Sequence, residues 1–568
     1  MINLIQKIFS YCTFNFTALL GKKYYNYYNK NAKIADQISE KELIKNIQKN
    51  RNTEIGKKYD FSNIRTIKDF QNKIPLTTFE DYSQYIERTA NTGEQNLITS
   101  DKIYYFAATS GTTGAYKKIP VVRKTFIPFL KNGTIFAYNL KREMKKRKKG
   151  ALYGKILNLS EAGTIDVTPS GIKVGVVTGY YTSRFKSILS TLTCIPKEVI
   201  GAEKDVDMKY INARFALEEE NVICINSVFM SALTDLFNYI EENIEIILKD
   251  IENGTIDDSI KMPEDIRKKF QKKLKPNKER ADELRKIFRE SVNFCGIIPK
   301  IWKRMSLVIS IGTGDFSPYR EKMRKYCSKD VPFSFSMFAA SEATVGNALE
   351  VEDENYTLIF DGGFYEFLEI DGNNKPLLMN ELEIGKEYEI VVTNFTGLYR
   401  YQLKDVVKVV GYKGKVPIIQ YAYRKNQFVN MSGLHITTER FASILKKYEK
   451  ALNNNIVDYS LYVDTDYSPV RMVLFIEIEK SINMKENISQ IFDEQVNDEF
   501  PGFDGVIKKG IIAKSKVYIV KPGTYEILRD RKVKSGVPVN QVKTIRIIKD
   551  KDTLEYFLNF TINKNFSN

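Results

Sequence analysis

The sequence predicts an α/β protein in two parts, a large N-terminal domain over residues 1–423 and a small α+β domain over 424–568. Three observations carry this. Strand-like runs at 305–311 (MSLVISI), 331–338 (VPFSFSMF), 356–361 (YTLIFD), 388–393 (YEIVVT) and 406–411 (VVKVVG) are interleaved with helical patterns, the arrangement that places helices on mixed sheets. After residue 423 the pattern restarts: the turn-rich YRKNQFVNMSGLH precedes a helix at 439–452, a strand at 459–465 and the run MVLFIEIE at 472–479. Finally, 568 residues with 43% hydrophobic and 12% aromatic content exceed one ordinary domain and suffice for a sizeable core.

Taken in order, the first stretch, MINLIQKIFSYCTFNFTALLG, is apolar but interrupted by Gln6, Lys7, Ser10 and Asn15. It lacks a clean signal-peptide core and the ~20 apolar residues of a membrane span. It reads as an amphipathic first helix without stable membrane insertion, a membrane-lying role being the secondary reading. Tyr104–Phe106 is strand-like, whereas the small and hydroxyl residues of 109–114 favour a turn. Leu233, Leu236, Ile240, Ile244, Ile247 and Ile251 recur every three or four residues before Gly254, an amphipathic helix with a glycine stop. Residues 262–290 carry both charge signs, are helical in character and break at Pro276. No internal repeat or low-complexity segment stands out.

Charge and cysteine usage narrow the class. Lys and Arg outnumber Asp and Glu by 87 to 70, giving +17, but the lysines spread along the chain without a recognisable nucleic-acid module. The densest run, KREMKKRKK at 141–149, reads as a solvated face, with a polyanion site as the minority alternative. The five cysteines are scattered, odd in number and never at metal spacing, which points to a reduced compartment, hence the cytoplasm, without a disulfide framework. The single histidine, His435, excludes a multi-histidine metal site and reads as a packing or surface residue.

The chemistry concentrates in a few segments. In FAATSGTTGAYKKIP (106–120) successive backbone N–H groups of the 109–114 turn can form an anion nest, and Ser110, Thr112 and Thr113 add hydroxyl donors. Lys117 or Lys118 can then reach a phosphate. The glycine spacing does not fit the common G-x-x-x-x-G-K-S/T loop, and an ordinary surface turn is the alternative. Ser341-Glu342 in FAASEATVGN reads locally as a strand end followed by a helix N-terminus with an acidic first turn; a carboxylate there also suits a hard cation. The segment 171–181, GIKVGVVTGYY, gathers Val174, Val176, Val177, Tyr180 and Tyr181, which by themselves read as a core strand.

TSGTTGAYK resembles the phosphate-loop motif of adenylate-forming enzymes, S/T-S-G-S/T-T-G-x-P-K, with Tyr116 where most members have proline. FAASE resembles their aromatic-G/A-x-S/T-E turn, and GLYRYQLKDVVKVVGY (397–412) resembles their Y-R-Y-R-x-G-D-V motif, with Gln402 for the second arginine and Lys404 for the glycine. The stretches NRNTEIGKKYDF, DFQNKIPLTTFEDYSQYIER, FYEFLEID, LEIGKEYEIVVTNFTGLYRY, IPKIWKRMSLV and GVPVNQVKTIR extend the likeness from about residue 45 to about 546. Together they are similar to the Gretchen Hagen-type acyl-acid amido synthetases.

The resemblance implies a large adenylate-forming domain and a small C-terminal domain that rotates over the active site. It implies that MgATP activates a carboxylic acid as an acyl-adenylate and that the acyl group passes to an amine, usually an amino acid, with release of AMP. ATP and Mg²⁺ are thus the expected cofactors, a small acid and an amine the partners, with no nucleic acid, and a monomer the expected state. Residue by residue, it assigns Thr109, Ser110, Gly111, Thr112, Thr113 and Gly114 to the nucleotide phosphates. Ala340 and Ser341 stand beside them, Glu342 holds magnesium, Asp405 grips the ribose and Thr313 lies near adenine. Lys117, Glu342 and Lys543 are the catalytic set, the last in NQVKTIR with Ile545 for the family's proline. Arg424 matches the hinge cation, and Val174, Val177 and Tyr180 face the acid. An acid–thiol ligase on the same fold and a nucleotide-binding protein without turnover are the alternatives.

Overall fold

The structure is a computed structural model that describes residues 2–109, 117–147, 154–159, 164–199, 206–313, 317–335, 337–370, 372, 375–425, 427–431, 434–479, 487–534, 545–548 and 550–562. The Ser110–Gly114 turn, Tyr116 and Lys543 lie outside the described residues. The chain divides into two compact units, the larger holding residues up to Thr109 with Lys117–Lys425 and the smaller beginning at Asn426.

Three sheets build the larger unit. Lys155–Asn158, Val222–Phe229, Leu307–Ile311 and Phe333–Ser334 form a parallel sheet in that order. Its central strands VICINSVF and LVISI are predominantly apolar, as expected of strands covered on both faces. Lys117–Val121, Tyr105–Thr109, Lys173–Gly175 and Thr164–Val167 form a second, mixed sheet. The third is antiparallel with eight strands, in the order Pro376–Leu378, Phe364–Glu369, Glu387–Thr393, Tyr401–Lys413, Val416–Arg424, Tyr356–Leu358, Thr344–Asn347 and Met337–Ala339.

The expected helices form where the apolar period placed them. Met230–Asn253 ends on Gly254, which takes φ +66° and returns its N–H to the Asp250 carbonyl. The charged segment splits into Glu264–Gln271 and Lys278–Arg289 around Pro276. Helix Ile2–Asn31 packs on helix Phe126–Lys146, sinking Phe14 into a cluster with Leu140, Met144, Ile223, Leu307 and Ile309. No described helix is long and apolar enough to cross a membrane.

Three local readings change. The run 331–338 is not one strand: Phe333–Ser334 closes the parallel sheet and Met337–Ala339 edges the antiparallel one. Residues 171–181 are a strand that turns into helix Val177–Arg184. Ser341 and Glu342 sit in a hairpin turn, where Ala340 and Ala343 exchange backbone N–H···O bonds of 2.8 and 3.3 Å, and no helix begins there. Pairing across the hairpin decides this, since residues 344–347 find strand partners on both sides.

The smaller unit has a four-stranded sheet, Lys516–Ile519, Arg471–Ile478, Ile456–Asp464 and Ile547–Ile548. Val473, Phe475, Tyr525 and Phe557 lie in its core. Buried Glu477 accepts from the N–H groups of Gly523 and Tyr525 (2.8 and 3.3 Å), anchoring the start of helix Thr524–Lys534.

One buried ion pair ties the N-terminal segment to the large antiparallel sheet. Arg400 donates from Nε and Nη2 to the two oxygens of Glu366 (2.9 and 3.0 Å), and from Nη1 to the Gln71 and Ile74 carbonyls (3.0 and 2.6 Å) at the end of helix Ile67–Lys73. That helix starts on a Thr66/Asp69 capping box, so both its ends are satisfied. Because Arg400 and Glu366 are 5% and 1% exposed, Glu366→Ala would strand a buried guanidinium. The expected cost is about 3–5 kcal/mol, read as a lower urea midpoint for the transition of the larger unit. A loss under about 1 kcal/mol would contradict that role for the pair.

Candidate active site

A close crossing of the chain starts the site. Gly397, at φ +101°, brings the turn after Glu387–Thr393 against the Ile98 carbonyl, where a Cβ would stand 2.5 Å away. Thr77 then lies beside Tyr401: its N–H donates to the Arg400 carbonyl and its carbonyl accepts from Gln402 N–H, both at 2.9 Å. The Tyr82 hydroxyl receives the Tyr399 N–H at 2.8 Å and donates to the Tyr399 carbonyl at 2.9 Å.

This crossing sets Tyr401 over the hairpin turn. Its hydroxyl donates to Glu342 Oε1 at 3.4 Å, while Asn394 Nδ2 donates to the Glu342 carbonyl at 2.8 Å. Glu342 is 9% exposed. Burial pushes the Tyr401 hydroxyl far above its ordinary range, and the Glu342 carboxylate adds to the shift. The same segment brings Phe79 and Glu80 to Lys117, whose Nζ lies 4.8 Å from the Phe79 ring centre and 3.7 Å from Glu80 Oε1. Burial lowers the Lys117 pKa, and the nearby Lys404 and Arg424 work in the same direction against Glu80 and Glu342.

Asp405 is aimed by a bulge. Glu389 pairs with Val406 and Val391 with Gln402, so Leu403, Lys404 and Asp405 stand opposite Ile390 alone. Lys404 takes φ +63° there, the left-handed conformation that a glycine would reach without strain. The lysine therefore takes, within the bulge, a backbone conformation that glycine would adopt more readily. Asp405 receives a 3.0 Å bond from Arg424 Nη1, directly across the ladder. Desolvation raises the Asp405 carboxyl to about 6; Arg424 opposes this, and Glu342 and Glu389 add to it.

Other expected residues fall as follows. Ala340 and Ser341 lie in the same turn as Glu342, half-buried. Buried Thr313 faces the Tyr356 hydroxyl at 3.2 Å, and Tyr356 joins an aromatic set with Phe338 (5.9 Å) and, through Phe338, Tyr421 (5.7 Å). Thr109 ends the strand that leads to the 110–114 turn. Val174 is fully buried in its strand opposite Phe106, the core-strand alternative for that segment. Val177 opens the following helix, on which Tyr180 stacks against Tyr105 with centroids 4.3 Å apart. Tyr181 packs on Phe126 and Phe129 (4.8 and 4.9 Å) and meets the Thr125 hydroxyl at 3.0 Å.

Sequence reasoning missed Tyr401, Phe338 and the Phe79–Glu80 pair. Tyr401 and Phe338 stand inside quoted motifs, where their ring chemistry was a usable signal. Phe79 and Glu80 carry no local pattern, since only the crossing at Thr77 brings them to Lys117. Glu342, Asp405, Arg424 and Lys117 thus come together in the larger unit from segments spread between residues 117 and 424. The array pairs buried Asp405 with Arg424, sets buried Glu342, without a paired cation among the described residues, and half-buried Lys117 in the same field, and adds aromatic rings. It can hold a phosphate-bearing ligand with hydroxyls at one end and a flat ring at the other.

Comparison with known proteins finds family models over most of the chain. The GH3 family N-terminal domain matches residues 25–333, the GH3 family central domain 356–424 and the GH3 family C-terminal domain 439–552. Jasmonoyl–L-amino acid synthetase JAR6 of Nicotiana attenuata is 28% identical over 546 residues, covering 92% of both chains. Indole-3-acetic acid-amido synthetase GH3.5 of Arabidopsis thaliana is 27% identical over 570 residues, 94% of this chain and 92% of its own. The 4-substituted benzoates–glutamate ligase GH3.12 of the same plant is 26% identical, covering 88% and 90%. A solved structure of AtGH3.15 acyl acid amido synthetase in complex with 2,4-DB shares the fold, with a TM-score of 0.65 at 21% identity over 95% of this chain and 96% of that one.

The raised Asp405 pKa has a measurable consequence. The folded protein holds this proton more tightly than the unfolded chain, so the group's contribution is complete below its unfolded value near 3.9 and is lost as pH rises through about 6. Burial lifts Asp235 and Asp493 to about 6 as well, so the difference between two proteins, not the slope of one, isolates Asp405. Between pH 4 and 7, Asp405→Asn is expected to gain on the order of 2–3 kcal/mol relative to wild type, measured by urea unfolding at each pH. A pH-independent difference would refute the raised value.

Proposed function

The chain belongs to the GH3 family, and from that premise we propose that it is an ATP-dependent ligase joining a carboxylic acid to an amine, an amino acid by preference. A carboxylate oxygen of the acid attacks the α-phosphorus of ATP, the bond to the β-phosphate oxygen breaks and pyrophosphate leaves. The amine nitrogen then attacks the acyl carbon of the adenylate, the carbon–oxygen bond to AMP breaks and the nitrogen loses its proton, leaving an amide. The observation that most supports this is the convergence of Lys117, Glu342 and Asp405, each from a separate motif, with Arg424 from a fourth segment.

Each residue has a physical part in the first step, which brings two anions together and is therefore limited by charge and position. Lys117 and the 109–114 turn neutralise phosphate oxygens, with Thr109 to Gly114 presenting donors. Asp405, held by Arg424, accepts the two ribose hydroxyl hydrogens as an anion, which requires pH above its value of about 6. Thr313, Ala340 and Ser341 line the nucleotide, and Phe338, Tyr356 and Tyr421 offer rings for the base. The acid takes the region of Val177 and Tyr180, where Phe126, Phe129 and Tyr181 supply aromatic neighbours, while Val174, fully buried in its strand, supports that region from the core. Lys543 of the smaller unit adds a cation to adenylation.

Magnesium fits the donor set. No group of three His, Cys, Asp or Glu side chains that could hold a metal occurs among the described residues, and Mg²⁺ bridging phosphates takes only one or two protein carboxylates. Glu342 would hold it, and when bound it supplies positive charge at the phosphate oxygens. Tyr401 and Asn394 orient Glu342 for that task. The five cysteines are free, in keeping with the reduced, cytoplasmic setting and the monomeric state proposed for this ligase.

Acid-dependent exchange of pyrophosphate into ATP, run over a panel of carboxylic acids, tests this reading. At least one acid should support exchange, and Glu342→Ala or Lys117→Ala should lower it by roughly 10²–10³-fold. Absence of exchange with every acid, despite ATP binding, would favour the nucleotide-binding alternative. Offering amino acids and coenzyme A to the activated enzyme then separates amide from thioester formation, and exclusive thioester product would overturn the amide reading.

A further inference from the structure

The first helix buries one face and leaves an apolar one outside. Along Ile2–Asn31, Ser10, Phe14, Ala18 and Tyr28 are buried at 1–4% exposure. On the opposite side Ile8, Phe16 and Leu19 are 53%, 62% and 65% exposed, with Cys12 exposed between them and Phe9 beside them at 51%. Positions 8, 12, 16 and 19 fall on one stripe of a 3.6-residue helix, and so many large apolar side chains in one line exceed ordinary scattered exposure.

The charge on this helix has one sign. Ile2–Asn31 contains Lys7, Lys22, Lys23 and Lys30 and no acidic residue. The neighbouring helix Phe126–Lys146 runs antiparallel: Phe14 clusters with Leu140 and Met144, while Gly21 lies against Thr134. This sets the described part of the basic run beside the stripe, and Lys141 reaches over to donate to Asn15 Oδ1 at 2.6 Å. Next to it opens a cleft of about 980 Å³ lined by Arg142, Lys145, Lys146, Arg147, Arg324 and Lys329 against Glu143, Glu350 and Glu352. Among the described residues Lys145 and Lys329 have no carboxylate partner.

We propose that this face docks on an anionic bilayer surface, with Ile8, Phe9, Phe16 and Leu19 seated among acyl chains and the helix lysines, with Lys141 and Lys145, on lipid phosphates and carboxylates. An apolar stripe on a helix whose only charged side chains are lysines is the pattern of an interfacial helix. Each basic side chain near such a surface adds to the attraction. A second copy of the chain suits the face less well, because a two-fold pairing would set lysine against lysine. The helix lies in the plane of the interface and does not cross it.

Co-sedimentation of the full chain with phosphatidylcholine vesicles, with and without phosphatidylserine, tests this at low and high salt. Binding is expected only with the anionic lipid and should fall as salt rises. Phe16→Ser/Leu19→Ser and, separately, Lys141→Glu/Lys145→Glu should each weaken it about tenfold or more. All four positions are exposed, and circular dichroism melting checks that both variants remain folded. Absence of binding to the anionic vesicles, or binding that neither pair of substitutions alters, would overturn the proposal. So would a dimer in light scattering that Phe16→Ser/Leu19→Ser dissolves, since the face would then belong to a second copy.

Discussion

The Arg400–Glu366 pair is the constraint on which the candidate site depends. Arg400 holds a strand carboxylate with two donors and the end of helix Ile67–Lys73 with a third. Fixing that helix fixes Thr77, and Thr77 pairs with the backbone on either side of Tyr401. From there two consequences run in opposite directions: Tyr401 and Asn394 reach Glu342, and Phe79 and Glu80 reach Lys117. A buried ion pair is weak evidence for stability in general. Its value here is geometric, since it makes residues 66–82 and 394–402 one rigid piece.

On that frame the charges compensate one another without cancelling. Asp405 leans on Arg424, Lys425 on Glu389 at 3.0 Å, and Lys117 on Glu80. Glu342 has a hydroxyl and no cation within salt-bridge distance among the described residues, which leaves its carboxylate available to a cation brought in with a ligand. Burial keeps the dielectric low, so a phosphate entering beside Lys117 and Arg424 would be bound more strongly than at the open surface.

Much of the fold was legible because apolar period is a local property. The helix before Gly254, the break at Pro276, and the strands at 307–311 and 387–393 follow from side-chain spacing and turn chemistry alone. The misread elements are those where pairing decides. Ser341-Glu342 looks like a helix start until residues 344–347 find partners on both sides, and 331–338 looks like one strand until its halves join different sheets. Lys404 shows the converse limit, because a motif's glycine was replaced and the left-handed bend survived.

By itself, then, the sequence determined the family, the two-part α/β plan and the identity of Glu342, Asp405, Arg424 and Lys117 as residues of interest, because residue type and short-range order carry those properties. Only the tertiary structure decided that Arg400 is a clasp, that Tyr401 and Asn394 orient Glu342, and that Phe79 and Glu80 neighbour Lys117. It also decided which side of the first helix stays outside. These depend on which distant segments cross, and a crossing is chosen by the burial and hydrogen bonding of the whole unit, which no local stretch encodes.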